Sequence, residues 1–147
     1  MAQVSTYLNF AGKTEEAFVF YRGAFGTEFK GPIMRMGEAP SAPGDPPLSP
    51  AEKNLVMHVE LPITGGHVLM GTDTLASRGH TLTVGSNVNI MLQPDTRAEA
   101  NRLFDALASG GNVTMPLQEM FWGDYFGSLT DRFGVQWMVN VAQPAAK

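Results

Sequence analysis

The sequence predicts an α+β protein made of two copies of one β-α-β-β-β module. Three observations carry this. Two amphipathic helical stripes are legible, within residues 12–26 and 94–111. Each follows a short strand-like run at the same offset, since Phe10 and Leu92, like Thr14 and Thr96, lie 82 residues apart. Each is followed by three further strand-like runs. An internal duplication of this kind constrains a fold more than any single element does.

In "GKTEEAFVFYRGAFG", Thr14 is placed to cap a helix, with Glu15 and Glu16 in the first turn. Phe18, Tyr21 and Phe25 follow at helical period, and Gly26 ends it. "TEFKGPIMRM", "KNLVMHVELP" and "HVLMGTD" read as the next three strands. In "PDTRAEANRLFDALASGG", Thr96 and Glu99 have capping-box spacing, Leu103, Phe104 and Leu107 form the stripe, and Gly110-Gly111 stop it. "NVTMPLQEMFW", "YFGSLTDRFG" and "VQWMVNVA" complete the second set. The expected organisation is a first module at 1–73, a linker at 74–86 without apolar periodicity, and a second module at 87–147, all in one compact domain. Residues 37–50, "GEAPSAPGDPPLSP", are too proline-rich for a central strand and read as a long loop, a tether rather than a lid.

Composition excludes several function classes. Charged residues are only 16% of the 147, the net charge is −4, and Lys and Arg are scattered, so no basic patch marks a nucleic acid or an anionic membrane as partner. There is no cysteine, hence no disulfide or thiolate chemistry. No apolar run approaches the ~20 residues of a membrane span. "MAQVSTYLNF" lacks the basic region and apolar run of a signal peptide. The expectation is a cytoplasmic protein.

"MHVELPITGGHVLMGTD" holds two of the three histidines beside a glutamate and an aspartate. With Gly65-Gly66 as a two-residue turn, His58 falls opposite Asp73 and Glu60 opposite Gly71, while His67 sits by the turn. His58 and Glu60 share a strand face. A His58–Asp73 or His58–Glu60 pair can orient an imidazole as general base or anion-binding donor; the competing reading is an ordinary cross-strand polar pair.

"QEMFWGDYFGSLTDRFGVQWMVNV" resembles the signature of the PhnB-like proteins, carried by Gln118, Phe121, Trp122, Gly123, Gly127, Asp131, Phe133, Gly134 and Trp137. "YLNFAGKTEEAFVFYRGAFG", "MHVEL" and "LMGTD" are similar to the family's opening strand and helix and its central hairpin. These proteins belong to the vicinal-oxygen-chelate superfamily, with glyoxalase I, extradiol dioxygenases and bleomycin-resistance proteins. The resemblance implies a glyoxalase-like fold, two βαβββ modules curling mixed sheets around a cleft, with modules pairing within or between chains and a homodimer as the expected assembly.

It also implies where a metal would bind, through His and Glu on the first and last strands of the modules. Here those strands offer Ser5, Tyr7, Asn9, Asn87 and Asn89, then Val68, Met70, Gln136, Met138 and Asn140. Borderline or hard divalent ions need nitrogen and carboxylate donors, so no metal and no cofactor is expected. A demethylubiquinone methyltransferase activity is disfavoured, because no Gly-rich loop links a strand to a helix as in the doubly wound nucleotide folds. Two readings stay open. One is an enzyme using His58 as base, with Asp73 or Glu60 orienting it. The other is a binding or sequestering protein of bleomycin-resistance type, its unidentified small molecule contacting Trp122, Phe121, Tyr7 and Tyr125. A metal-dependent glyoxalase or dioxygenase ranks below both.

Overall fold

A computed structural model describes residues 1–144; residues 145–147, the end of the predicted second module, lie outside the described residues. The chain divides into two compact units, Met1–Thr83 and a second beginning at Val84. Each carries a four-stranded mixed sheet backed by one long helix.

The first unit contains β1 (Thr6–Phe10), α1 (Thr14–Phe25), β2 (Met34–Arg35), α2 (Pro50–Lys53), β3 (Val56–Pro62) and β4 (Val68–Asp73). The strand order is β1-β4-β3-β2, with β1 parallel to β4 and the other pairs antiparallel. The α1 stripe of Ala17, Phe18, Tyr21, Ala24 and Phe25 is buried. Its approach is set by Gly71, where an added Cβ would lie 2.5 Å from Phe18 Cε1. The predicted second strand shrinks to two residues. Gly31, at φ 85°, and Pro32 break the run, leaving Lys30 N–H on Glu60 O (3.0 Å) as an outlying backbone bond to β3.

Two local expectations are corrected. Thr14 does not cap α1. Its side chain is buried, and the cap comes from β4, where Asp73 Oδ1 accepts from Thr14 N–H (3.1 Å) and Thr14 Oγ1 (2.7 Å). The central hairpin also turns through three residues, not two. Thr64-Gly65-Gly66 is closed by Ile63 N–H on His67 O (2.7 Å), with both glycines at positive φ. Glu60 therefore pairs with Met70, and Val59 with Gly71. A one-residue change of register moves side chains to the other face of a sheet. Asp73 consequently lies on the helix side, opposite Phe10, and not across from His58.

The second unit repeats the topology: β5 (Ile90–Leu92), α3 (Arg97–Ala108), β6 (Asn112–Glu119), β7 (Tyr125–Thr130) and β8 (Gln136–Val141), in the order β5-β8-β7-β6 with β5 parallel to β8. Thr96 caps α3 as expected, its Oγ1 accepting from Glu99 N–H at 3.1 Å. Gly127 plays the part of Gly71, since an added Cβ would meet Phe104 of α3 at 2.9 Å. Pro116 sits on the edge strand β6, whose pairing with β7 is interrupted twice by register shifts, where a missing ladder donor is tolerated. The β7–β8 turn is organised by buried Asp131, which accepts from Phe133 N–H (2.8 Å), Val135 N–H (3.0 Å) and Trp137 Nε1 (2.9 Å). Much of the signature motif is thus architecture: Gly127 admits the helix, Asp131 binds the turn, and Trp137 fills the core.

Candidate functional site

The face of the first sheet turned away from α1 carries a connected polar group. Tyr7 pairs with Met70 across β1–β4, and Met70 with Glu60 across β4–β3, so these three stand in a row. His58 precedes Glu60 by two residues on the same face. Tyr7 Oη lies 2.9 Å from His58 Nδ1, with the rings tilted by 39°, and His58 Nε2 lies 3.4 Å from Glu60 Oε1. A carboxylate can only accept, so Glu60 selects the tautomer with the proton on Nε2; Nδ1 then accepts from the Tyr7 hydroxyl. Burial, aided by the negative Glu60, raises the Tyr7 phenol above its ordinary value, so it remains a donor at neutral pH. A ligand group replacing Tyr7 at Nδ1 would meet a base backed by a carboxylate.

Two residues along β1 from Tyr7, about 7 Å by strand rise, Asn9 begins the floor of a cavity of about 660 Å³. Thr72, paired with Asn9, and Met57 continue the floor. One wall is the segment after β4, through Leu75, Arg78, His80 and Leu82. The other comes from Met36 and the proline-rich loop, through Ala39, Pro40, Ser41 and Leu48. The tether reading of residues 37–50 therefore gives way to a wall. Its far end is fixed by α2, where Ser49 and Glu52 form a reciprocal capping box, and Ser77 Oγ donates to Glu52 Oε2 at 2.5 Å. Residues 74–83, read as linker, belong to the first unit: Leu75 is buried, and its N–H donates to His80 Nδ1 at 3.0 Å. Sequence reasoning missed this cavity because its walls have no periodicity; the signal available was the length of the loop.

The predicted site residues fall into distinct groups. His58, Glu60 and Tyr7 come together. Asp73 does not join them; both of its oxygens are engaged, Oδ2 accepting from Val56 N–H at 2.9 Å, so it is an architectural residue. In the second unit Tyr125 packs toward α3, its hydroxyl donating to Asn101 Oδ1 (2.6 Å) and its ring lying under Arg97 (4.8 Å). That correction follows from strand alternation, which puts Phe126 and not Tyr125 on the face away from the helix. Phe121 and Trp122 stand at the β6–β7 hairpin tip, 98% and 47% exposed, ring centroids 4.8 Å apart. Gly123, at φ 98°, lets the tip turn against Gln143.

Among the described residues, no group of three or more His, Asp or Glu could hold a metal ion. Along the pairs β1–β4 and β5–β8, the side chains facing away from the helices include Tyr7, Asn9, Met70 and Thr72, and Met91 and Met138. Phenol, amide, thioether and hydroxyl groups do not make the nitrogen-and-carboxylate donor set that a borderline divalent ion takes. No helix among the described residues is long and apolar enough to cross a membrane.

A family model described as the glyoxalase/bleomycin resistance protein/dioxygenase superfamily matches residues 4–139. The chain is 32% identical over 145 residues to Protein YjdN of Escherichia coli (strain K12), covering 95% of each chain. Among solved structures it is similar to protein PA1353 of Pseudomonas aeruginosa, with TM-score 0.81 and 37% identity over 98% of this chain and 100% of that one. It is also similar to the PhnB protein of Bacillus cereus, whose name carries a provisional 3-demethylubiquinone-9 3-methyltransferase activity, with TM-score 0.74 and 27% identity over 96% and 100% of the two chains.

Proposed function

This chain belongs to the glyoxalase/bleomycin resistance protein/dioxygenase superfamily, and we propose that it binds a small organic molecule in the cavity of its first unit, with Tyr7, His58 and Glu60 as the polar flank of that site. The observation that carries the reading is the cavity itself. At about 660 Å³ it falls within the size range of small-molecule sites, and it is lined by seven apolar and nine polar side chains. Asn9 and Thr72 of its floor and the Tyr7–His58–Glu60 group lie on one sheet face, and side chains on a strand make a more rigid site than side chains on a loop.

The proposed chemistry needs no metal, because the donor set described above does not suit one. The methyltransferase activity attached to the name of the Bacillus protein finds no support in this chain. Its sheets have the order β1-β4-β3-β2 and β5-β8-β7-β6 and not a doubly wound order, and the start of α1 is occupied by the Asp73 carboxylate. A non-catalytic, sequestering role is the second reading; the exposed Phe121 and Trp122 rings favour it, as aromatic surface suited to flat ligands.

The test starts from native mass spectrometry of the purified protein to recover a retained ligand. Asn9→Trp, which fills the floor, should abolish binding of that ligand, or of the apolar probe N-phenyl-1-naphthylamine, without lowering the unfolding midpoint. Unchanged binding would remove the cavity as the site. His58→Gln then separates the two readings: a general base predicts a loss of turnover of about two orders of magnitude or more, and an anchoring hydrogen bond predicts a loss of about 1 kcal/mol of affinity.

A further inference from the structure

We propose that Arg78 is the anchor for an anionic head group in this cavity, so that the ligand class is a small organic anion with an apolar body; this rests on the cavity being the binding site. Arginines elsewhere in the chain show what a satisfied guanidinium looks like here. Arg35 meets both oxygens of Glu15 at 2.9 Å. Arg102 meets those of Glu99 at 2.6 and 2.9 Å. Arg78, which ends the 3-10 turn Ala76–Arg78, has among the described residues only Asp45 Oδ2 at 3.4 Å and Pro46 O at 3.4 Å. Charge-assisted contacts of arginine run at about 2.7–2.9 Å. Asp45 Oδ2 is already shared with Ala42 N–H at 3.0 Å. Among the described residues the Nε of Arg78 has no partner, but it is buried, so the N–H groups open to a ligand are those of Nη1 and Nη2. This is a cation in a wall of the cavity whose Nη groups make only long contacts.

The rest of the lining suits the same ligand. Among the described residues its sole carboxylate is Asp73, whose two oxygens are committed to Thr14 and Val56. His80 accepts through Nδ1 from Leu75 N–H, so a neutral ring carries its proton on Nε2 as a second donor. Met57, Leu48 and Leu82 supply apolar surface. A cationic ligand would find no free carboxylate in the cavity lining, Glu60 standing outside it on the flank beside His58, whereas a carboxylate, sulfonate or phosphonate would complete Arg78 in the bidentate geometry that guanidinium favours.

The experiment compares two probes that share an aromatic body, 8-anilinonaphthalene-1-sulfonate and the uncharged N-phenyl-1-naphthylamine, by fluorescence titration of the intact protein. The sulfonate should bind saturably at one per chain and at least tenfold more tightly than the neutral probe. Arg78→Gln should weaken the sulfonate at least tenfold and leave the neutral probe within twofold. Asp45→Asn, which frees Arg78 from its long ion pair, should tighten the sulfonate severalfold; this second variant keeps the test decisive if Arg78→Gln disturbs the loop. Sulfonate affinity unchanged by Arg78→Gln, both probes weakened equally in a folded variant, or weaker sulfonate binding by Asp45→Asn would overturn the proposal while leaving the cavity as the site. Failure of both probes to bind, or binding of both that survives Asn9→Trp, would remove the binding site and the anchor with it.

Discussion

Replacing Asp73 by Asn distinguishes an architectural carboxylate from a catalytic one. Asp73 is buried and joins three parts of the first unit: it terminates β4, caps α1 through Thr14, and holds the start of β3 through Val56 N–H. An amide has one acceptor oxygen where the carboxylate has two. If that oxygen stays on Thr14, the new NH₂ faces Val56 N–H, donor against donor; if it flips, it faces the Thr14 backbone N–H. Either way one buried donor loses its partner. The expected destabilisation is therefore about 1–3 kcal/mol. With urea m-values of about 1–3 kcal/mol/M, the midpoint of the first unit should fall by about 1 M. Equilibrium urea unfolding followed by circular dichroism reads this directly. A midpoint within about 0.3 M of the wild type would refute the argument, and would reopen a role for Asp73 beside His58.

The remaining predictions are independent of one another. Trp122→Ala should change stability by no more than about 0.5 kcal/mol, as for an exposed side chain, whereas Trp137→Ala should cost about 3–5 kcal/mol because it empties a core site and removes the indole hydrogen bond to Asp131 Oδ2; similar thermal shifts for the two would contradict this placement. The Arg35 guanidinium hydrogen-bonded to Glu15 holds that carboxyl below its ordinary value. A carboxyl lowered in the folded state stabilises above its unfolded value and ceases to do so as pH falls through the folded one, so the stability gap between wild type and Glu15→Gln, under about 1 kcal/mol for so exposed a pair, should be present at pH 7 and shrink as pH falls below the ordinary glutamate range. A gap that persists in acid would count against the ion pair. Elemental analysis should find no stoichiometric zinc, nickel or iron, and tight one-to-one metal surviving His58→Ala would refute the reading of the donor set. We also expect a homodimer, since each open sheet leaves edge strands unpaired within its own unit; a stable monomer in sedimentation at micromolar concentration would exclude it.

The two helices, the repeated topology and the family were legible in the sequence. They depend on local rules: apolar period for α1 and α3, the Thr96–Glu99 cap, and a motif whose glycines and Asp131 serve close packing and a tight turn. The adjacency of His58 and Glu60 was also legible, because alternation along a strand is a local property.

What lay beyond the sequence was set by relations between distant segments. Whether Gly65-Gly66 turned alone or recruited Thr64 decided the register of the hairpin, and with it whether Asp73 faced His58 or the helix. Turn closure at Ile63 and His67 and burial of Leu69, Gly71 and Asp73 under α1 settled that choice together. The partnership of Tyr7 with His58 required β1 to lie parallel beside β4, 63 residues away along the chain. The cavity and the poorly satisfied Arg78 appeared only when two segments without periodicity, 37–50 and 74–83, were brought over one end of the sheet. Periodicity reports which face of an element is buried, because that is fixed by backbone geometry; which segments meet across a fold is fixed by packing, and packing is a property of the whole unit.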